Sequence, residues 1–564
     1  MTAPITGPRV LRGAILDQRG PVSAAALLFM GHQAGEALVP VLVGTVVDRA
    51  VASGDTGALL RWLAVLGLDF LVLSFCYRWG ARRAWLGDVR ADQRLRLLVA
   101  DRLLDPRGGA ETGRLPGELA NLAVADAKRV GVVNFAVPLG LAALAAMLVA
   151  AVSLVRISVP LGLLILLGTP PLLLVVHFLG VPLQRRSGPE QERAARASGV
   201  AADLVDGVRV LKGLGAVPAA VARYERASQE ALGATLGATR VQAGYQGAVL
   251  AANGLFLALV ALVGGRLAAD GQISIGGLVA AVGLAQFLIT PLQMLGWVNG
   301  RIAQGRASAA RIAGLLAAGP AVAGGDPAAP PVPHRPALAL HDLHHGSLRG
   351  VDLEVGAGET VGVVAADPAD AAALVACLAR EVDPARGTVT VEGRALAAHP
   401  PRTARSGVLV ASHGAELFSG TLRENVAAAA RDPAPVASAM AAAQADQVAD
   451  VLPDGAETLL REQGRSLSGG QRQRVALARA LAADAPVLVL HDPTTAIDGV
   501  TEIRIAEGVA GLRTDRTTLV LATSPALLAV THRVVLVVDG RVAATGTHAE
   551  LVASHPVYRS AVLG

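Results

Sequence analysis

A chain of 564 residues is too long for a single core, and one that is 52% apolar and 17% charged, with a mean hydropathy of +0.49, is too oily for an ordinary soluble protein. The formal net charge of +5 does not indicate nucleic acid, because the arginines cluster between apolar runs, as membrane topology places them. Cys76 and Cys377 are far apart and match no metal or disulfide pattern, so no metal site is expected. The opening residues, MTAPITGPRVLRGAILDQRG, lack the layout of a signal peptide, and the apolar runs are therefore expected in the mature protein.

The first 300 or so residues hold six apolar segments, at 21–50, 58–88, 132–156, 158–182, 244–268 and 276–298. Each is long enough to cross a hydrocarbon core of ~30 Å, and several run on into polar helical stretches. The connections at 51–57 and 269–275 are short, and the one near Arg156 is almost absent. Those at 89–131 and 183–243 are long and rich in arginine, including Arg90, Arg94, Arg185 and Arg186. Positive charge marks the long connections, and with them both termini, as cytoplasmic.

Polar residues inside these spans are few: His32, Glu36, Asp69, His177, Asn253, Gln286 and Gln293. His32 and Glu36 lie four apart and share one helix face. Two readings of the pair stand: a substrate-cavity or proton-linked site, or else interhelical hydrogen bonding or a position near the headgroups. Residues 317–336, rich in Pro, Gly and Ala, read as a linker. From 337 to 564, short β-branched runs alternate with helical stretches, the pattern of an α/β domain.

Within that domain stands Leu467-Ser468-Gly469-Gly470-Gln471, followed by a helix with Val475, Leu477, Ala478 and Leu481 on one face. Two glycines allow backbone to approach a phosphate, Ser468 offers a hydroxyl, and the helix points its positive end at the anion. This stretch resembles the signature of ABC-transporter ATPase domains. The resemblance covers essentially the whole chain. The six-span half resembles the membrane domain of ABC exporters, with Gly113 to Leu119 and Asp126 like the first intracellular loop. Asp206 to Lys212 looks like the second loop, and Arg306 to Ile312 like the helix leaving the last span. In the family these loops, near 105–130 and 200–216, carry the coupling helices. The implied fold is an all-α transmembrane exporter domain at 1–316, a linker at 317–336, and an α/β ATPase domain at 337–564 with a degenerate phosphate loop.

A working phosphate loop reads GxxxxGK[ST]. Here the strand Gly358 to Val364 leads into Ala365-Ala366-Asp367-Pro368-Ala369-Asp370-Ala371-Ala372. Ala365 replaces the first glycine, Asp370 the glycine before lysine, Ala371 the lysine, and Ala372 the magnesium-binding hydroxyl. Pro368 removes an N–H donor, and the aspartates bring negative charge to a polyphosphate site. The resemblance places His413 at the switch glutamine, His491 and Asp492 at the Walker B carboxylates, and Thr523 at the switch histidine. The adenine-stacking aromatic of the family is replaced near 345–347 by His345, Gly346 and Ser347, of which the histidine could still stack. By contrast Ser468, Gly469, Gly470, Gln471 and the D-loop Asp498 are retained, and Leu460 to Gly464 resembles the exporter X-loop.

In the family, ATP lies between the phosphate loop of one ATPase domain and the signature of the other. Lost cis elements beside retained trans elements imply half of a heterodimer. The partner, a second half-transporter with intact Walker motifs, would hold ATP and Mg²⁺ against Ser468 to Gln471 and Asp498. No catalytic residue is expected in cis. The expected cargo is amphipathic: a lipid, a hydrophobic drug, or a modified peptide such as a lanthipeptide. The rival reading is an inert pseudo-ATPase subunit in a membrane complex.

Overall fold

The computed structural model describes residues 5–325, 337–414, 416–430, 432, 435–460, 464 and 466–564, and at 176–177 and 179–189 the backbone alone. His177, Arg185 and Arg186 therefore lie outside the described side chains, and linker residues 326–336 and Arg461, Glu462 and Gln463 outside the described residues. The chain divides into two units, Met1–Ala100 with Pro116–Ala317, and Asp101–Leu115 with Ala318–Gly564. The segment 101–115 is tied to the second unit at backbone carbonyls: the Arg102 guanidinium donates to those of Gly108 and Ala318. The Ala321 and Val322 N–H groups in turn donate to the Arg107 carbonyl.

The first unit is all helix: α1 (Gly7–Leu16), α2 (Arg19–Val46), α3 (Thr56–Leu103), α4 (Pro116–Asn121), α5 (Ala127–Gly131), α6 (Val133–Ile157), α7 (Val159–Asp206), α8 (Val208–Gly213), α9 (Val217–Ala269), α10 (Ile275–Phe287) and α11 (Ile289–Leu316). Among the described residues, five helices are long and apolar enough to cross a membrane: Arg19–Val51, Thr56–Leu103, Pro116–Ile157, Val217–Ala269 and Ile275–Leu316. The fourth expected span begins as the shorter apolar stretch Val159–Val175 of α7. The arginine-rich connections are themselves largely helical, being the far ends of α3, α7 and α9. Small residues let α2 and α10 cross closely: a methyl group on Gly44 would stand 2.2 Å from the Gly276 carbonyl oxygen. Asp48 fastens the same crossing by accepting from the Gly276 N–H at 2.7 Å and the Ser274 hydroxyl at 2.5 Å. Buried Asp126 joins two of the expected loop motifs, accepting from Ser308 Oγ at 2.9 Å and from Arg311 Nε at 2.8 Å on α11.

The second unit is α/β. Its central sheet holds β3 (Thr360–Ala365), β6 (Val408–Ala411), β9 (Val487–His491), β10 (Thr517–Leu521), β11 (Arg533–Val538) and β12 (Arg541–Gly546), in the order β12-β11-β3-β10-β9-β6. All pairings are parallel except β11 with β12. Strands such as Val487 to Leu490 are apolar on both faces because helices cover both sides of such a sheet. A second, antiparallel sheet contains β1 (Leu338–His345), β2 (Leu348–Val355), β4 (Arg386–Val391) and β5 (Arg394–Ala395), and β7 (Gly420–Thr421) pairs with β8 (Leu459–Leu460). The parallel topology fixes the site, since an open α/β sheet offers its ligand crevice at the carboxyl ends of its strands.

Candidate functional site

The segments after β3, β6, β9 and β10 all emerge at that carboxyl edge, which brings the substituted phosphate loop, His413, His491 and Thr523 to one end of the sheet. After β3 the chain turns at once into the helix Pro368–Leu378. Asp367 caps it, its Oδ1 accepting from the Ala369 N–H at 2.8 Å, and Pro368 takes the first helical position, where a missing donor costs least. Its neighbours are also engaged: the Ala366 N–H donates to the Val537 carbonyl and the Asp370 N–H to the Asp367 carbonyl. Asp370, 1% exposed, turns inward and accepts from the Gly540 N–H at 3.0 Å in the turn between β11 and β12. A phosphate cradle works by presenting unspent N–H groups to an anion. Here three of those groups are spent inside the protein, one is removed by proline, and Ala371 and Ala372 supply neither ammonium nor hydroxyl.

At the end of β9, His491 is half-buried and its Nε2 stands 3.8 Å from Asp492 Oδ2. Burial pushes the imidazole below its ordinary pKa, Asp492 partly offsets this, and His413, with ring centroids 6.2 Å apart, adds to it. A neutral imidazole is a poor substitute for a carboxylate on Mg²⁺, a hard cation that prefers oxygen. Asp492 adopts a left-handed backbone (φ 47°), and Thr523 is exposed.

The signature is built differently. Ser468 caps the helix Gly469–Ala482 in a reciprocal box: its hydroxyl accepts from the Gln471 N–H at 3.3 Å, and Gln471 Oε1 accepts from the Ser468 N–H at 2.8 Å. Gly470 is required sterically, because a methyl group there would stand 2.6 Å from the Ala496 carbonyl oxygen. Asp498 caps the helix Gly499–Leu512, accepting from the Thr501 N–H at 3.0 Å, which holds its carboxyl below the usual range. Both Ser468 and Asp498 face solvent.

Gln473, 8% exposed, joins these two elements, and sequence reasoning missed it. Its Nε2 donates to Thr495 Oγ1 at 2.7 Å, and its Oε1 accepts from the Ala496 N–H at 2.8 Å. The signal available was a glutamine on the otherwise apolar, buried face of the signature helix.

In the membrane unit, His32 and Glu36 lie on α2 with Nε2 and Oε2 3.8 Å apart. Gln33 completes the group by donating from Nε2 to Glu36 Oε2 at 2.6 Å.

Two family models match this chain: the ABC transporter transmembrane region over residues 22–292, and the ABC transporter ATPase family over residues 348–495. The chain belongs to the ABC transporters. It has the exporter half-transporter arrangement, a multi-pass membrane domain fused ahead of an ABC ATPase domain, and such a domain uses ATP and Mg²⁺. This ABC transporter chain is 31% identical over 535 residues to a multidrug efflux ATP-binding/permease protein of Mycobacterium tuberculosis, which covers 93% of this chain but 44% of the relative. The chain thus spans less than half the length of that relative. It is 28% identical over 540 residues to an ATP-dependent lipid A-core flippase of Thiobacillus denitrificans, covering 93% of this chain and 92% of the other. Its fold matches a bacterial Atm1-family ABC exporter with ATP bound, at a TM-score of 0.71 and 22% identity, over 96% of this chain and 98% of that one.

Proposed function

We propose that this chain is one half of a heterodimeric ABC exporter whose working ATP site is composite. The partner is a second half-transporter with intact Walker motifs, holding ATP and Mg²⁺ against Ser468, Gly469, Gly470, Gln471 and Asp498 of this chain. The observation that carries the reading is the contrast within one ATPase unit. In the loop from Ala365 to Ala372 three N–H groups are spent internally, whereas the signature is capped and anchored with Ser468 exposed. Exposed Val500 and Ile503 beside Asp498 suit an apolar face that a second ATPase domain covers. The multidrug efflux relative leaves more than half its length outside the match, room for a second such half.

ATP binding then closes the paired ATPase domains, and the loops near 105–130 and 200–216 carry closure to a cavity of twelve helices, six from each half. Both termini are cytoplasmic in this arrangement. The relatives' names, multidrug efflux and lipid flippase, favour an amphipathic cargo in the cytoplasmic membrane, with His32 and Glu36 at the cavity. The test is ATP hydrolysis by the purified chain alone and co-purified with a half-transporter bearing an intact phosphate loop. The chain alone is expected to be silent and the pair active. Turnover by the isolated chain at the rate of the pair would overturn the heterodimer.

A further inference from the structure

The chain passes between its two units at three peptide bonds, after Ala100, Leu115 and Ala317. Hydrogen bonds tie the segments at these passages together twice. In the second unit, Arg102 Nη2 donates to the Ala318 carbonyl at 2.9 Å, and the Ala321 N–H to the Arg107 carbonyl at 3.0 Å. Backbones approach closely there as well: a methyl group on Gly109 would stand 2.3 Å from the Gly319 carbonyl oxygen. In the first unit, one side chain ties the segment entered at Pro116 to α11, which ends at Leu316 just before the last passage. Asp126, fully buried, accepts from Ser308 Oγ at 2.9 Å and from Arg311 Nε at 2.8 Å and Nη2 at 2.5 Å. It also accepts from Arg129 Nη1 at 3.0 Å. Beside this tie, a methyl group on Gly305 would stand 2.5 Å from Val133 at the start of α6.

The surroundings of Asp126 are apolar: Ala127, Val130, Ala309 and Ile312 are all fully buried. Stability alone explains a carboxylate there poorly, because a buried ion pair is often no better than a hydrophobic side chain of similar volume. What directed bonds add is register. Arg311 approaches the carboxylate with two N–H groups, a geometry that sets orientation as well as distance. We propose that Asp126, through Arg311 and Ser308, is a positioning residue for transport. With ties on both sides of the passages, α11 and the segment leading into α6 form one lever, so that a movement of the ATPase unit reaches both helices together. The inference rests on the exporter reading and assigns Asp126 a part in its conformational step.

The experiment uses the co-purified pair in lipid nanodiscs and reads ATP hydrolysis together with amide hydrogen exchange. Exchange is followed at 51–57 and 269–275, the outer connections of the proposed arrangement, with and without ATP and vanadate. In the wild-type pair, trapping should raise exchange at both connections. Arg311→Met and Asp126→Leu should keep hydrolysis within about twofold and cut the ATP-dependent rise at least about fivefold, the low end of couplings between distant sites. Arg311→Lys, which keeps the charge and one N–H bond, should recover much of the rise. Should Asp126→Leu fail to assemble, Arg311→Met still decides, since the Arg311 side chain is 48% exposed. A rise of wild-type size in Arg311→Met removes this inference and leaves the exporter reading standing. Hydrolysis and opening that fall in the same proportion also remove it, because a merely structural tie behaves that way. A wild-type pair without turnover removes the exporter reading and the inference with it.

Discussion

The Asp370 carboxylate accepts a hydrogen bond from the Gly540 N–H at 3.0 Å, pinning the segment after β3 to the turn between β11 and β12. In a working phosphate loop the residue at this position is a glycine and the space in front of it belongs to a nucleotide. Here the carboxylate supplies a tie that needs no nucleotide, and the loop keeps its shape through its own bonds.

Restoring one group should therefore not restore the site. Ala371→Lys leaves Pro368, Asp370 and Ala372 in place and should create no measurable binding of a fluorescent ATP analogue by the isolated chain. Asp370→Gly should lower the stability of the ATPase unit by about 1–3 kcal/mol, because it orphans the buried Gly540 N–H. Tight nucleotide binding by Ala371→Lys would contradict this account of the loop.

Gln473 yields a second expectation. Gln473→Leu removes both ties from the signature helix, to the Thr495 hydroxyl and to the Ala496 N–H, and leaves the Ala496 N–H without a partner. The cost should be about 1–3 kcal/mol in a denaturation midpoint. Gln473→Glu should recover much of it, since a carboxylate still accepts from Ala496 and Thr495 can turn its hydroxyl to donate.

Much of this was legible in the sequence. The spans follow from apolar runs bounded by arginine, and the α/β unit from β-branched runs alternating with helices. The departures of residues 365–372 from the phosphate-loop pattern are readable letter by letter, but the inward turn of Asp370 is not, because Gly540 lies 170 residues away. Asp126 and Arg311 each stood out within its own motif, while their pairing depends on how α11 packs against the turn before α5. The allegiance of 101–115 to the second unit rests on backbone carbonyls, to which side-chain patterns are blind. Gly470 read as freedom to approach phosphate, and the structure adds its close approach to Ala496.

Acid should weaken the ATPase unit partly through His491. Its folded pKa is lowered, chiefly by burial, so the unfolded chain takes up the proton first. The contribution to instability is absent above the ordinary histidine value of about 6.5 and grows as pH falls through it toward the lower folded value. His491→Gln should flatten the melting temperature between roughly pH 7 and 5 relative to wild type. An unchanged difference between the two proteins across that range would show that the imidazole is not held neutral.

The central claim is that the Ser468 end of this chain completes a site whose nucleotide the partner holds, and one measurement addresses it directly. Gly470 is unsuitable for substitution, since any side chain there strikes Ala496, whereas Ser468 is exposed and its hydroxyl, which accepts from the Gln471 N–H, still has a proton to donate. ATP hydrolysis should be compared in the purified pair carrying wild-type chain, Ser468→Arg, or His491→Ala with Thr523→Ala. Loss of a preorganised contact to the γ-phosphate typically lowers the rate about 10²–10³-fold, and Ser468→Arg should fall in that range while the partner still binds nucleotide. His491→Ala with Thr523→Ala should retain most of the wild-type rate. Equal losses from the two sets would contradict the division of labour between a spent loop and a working signature.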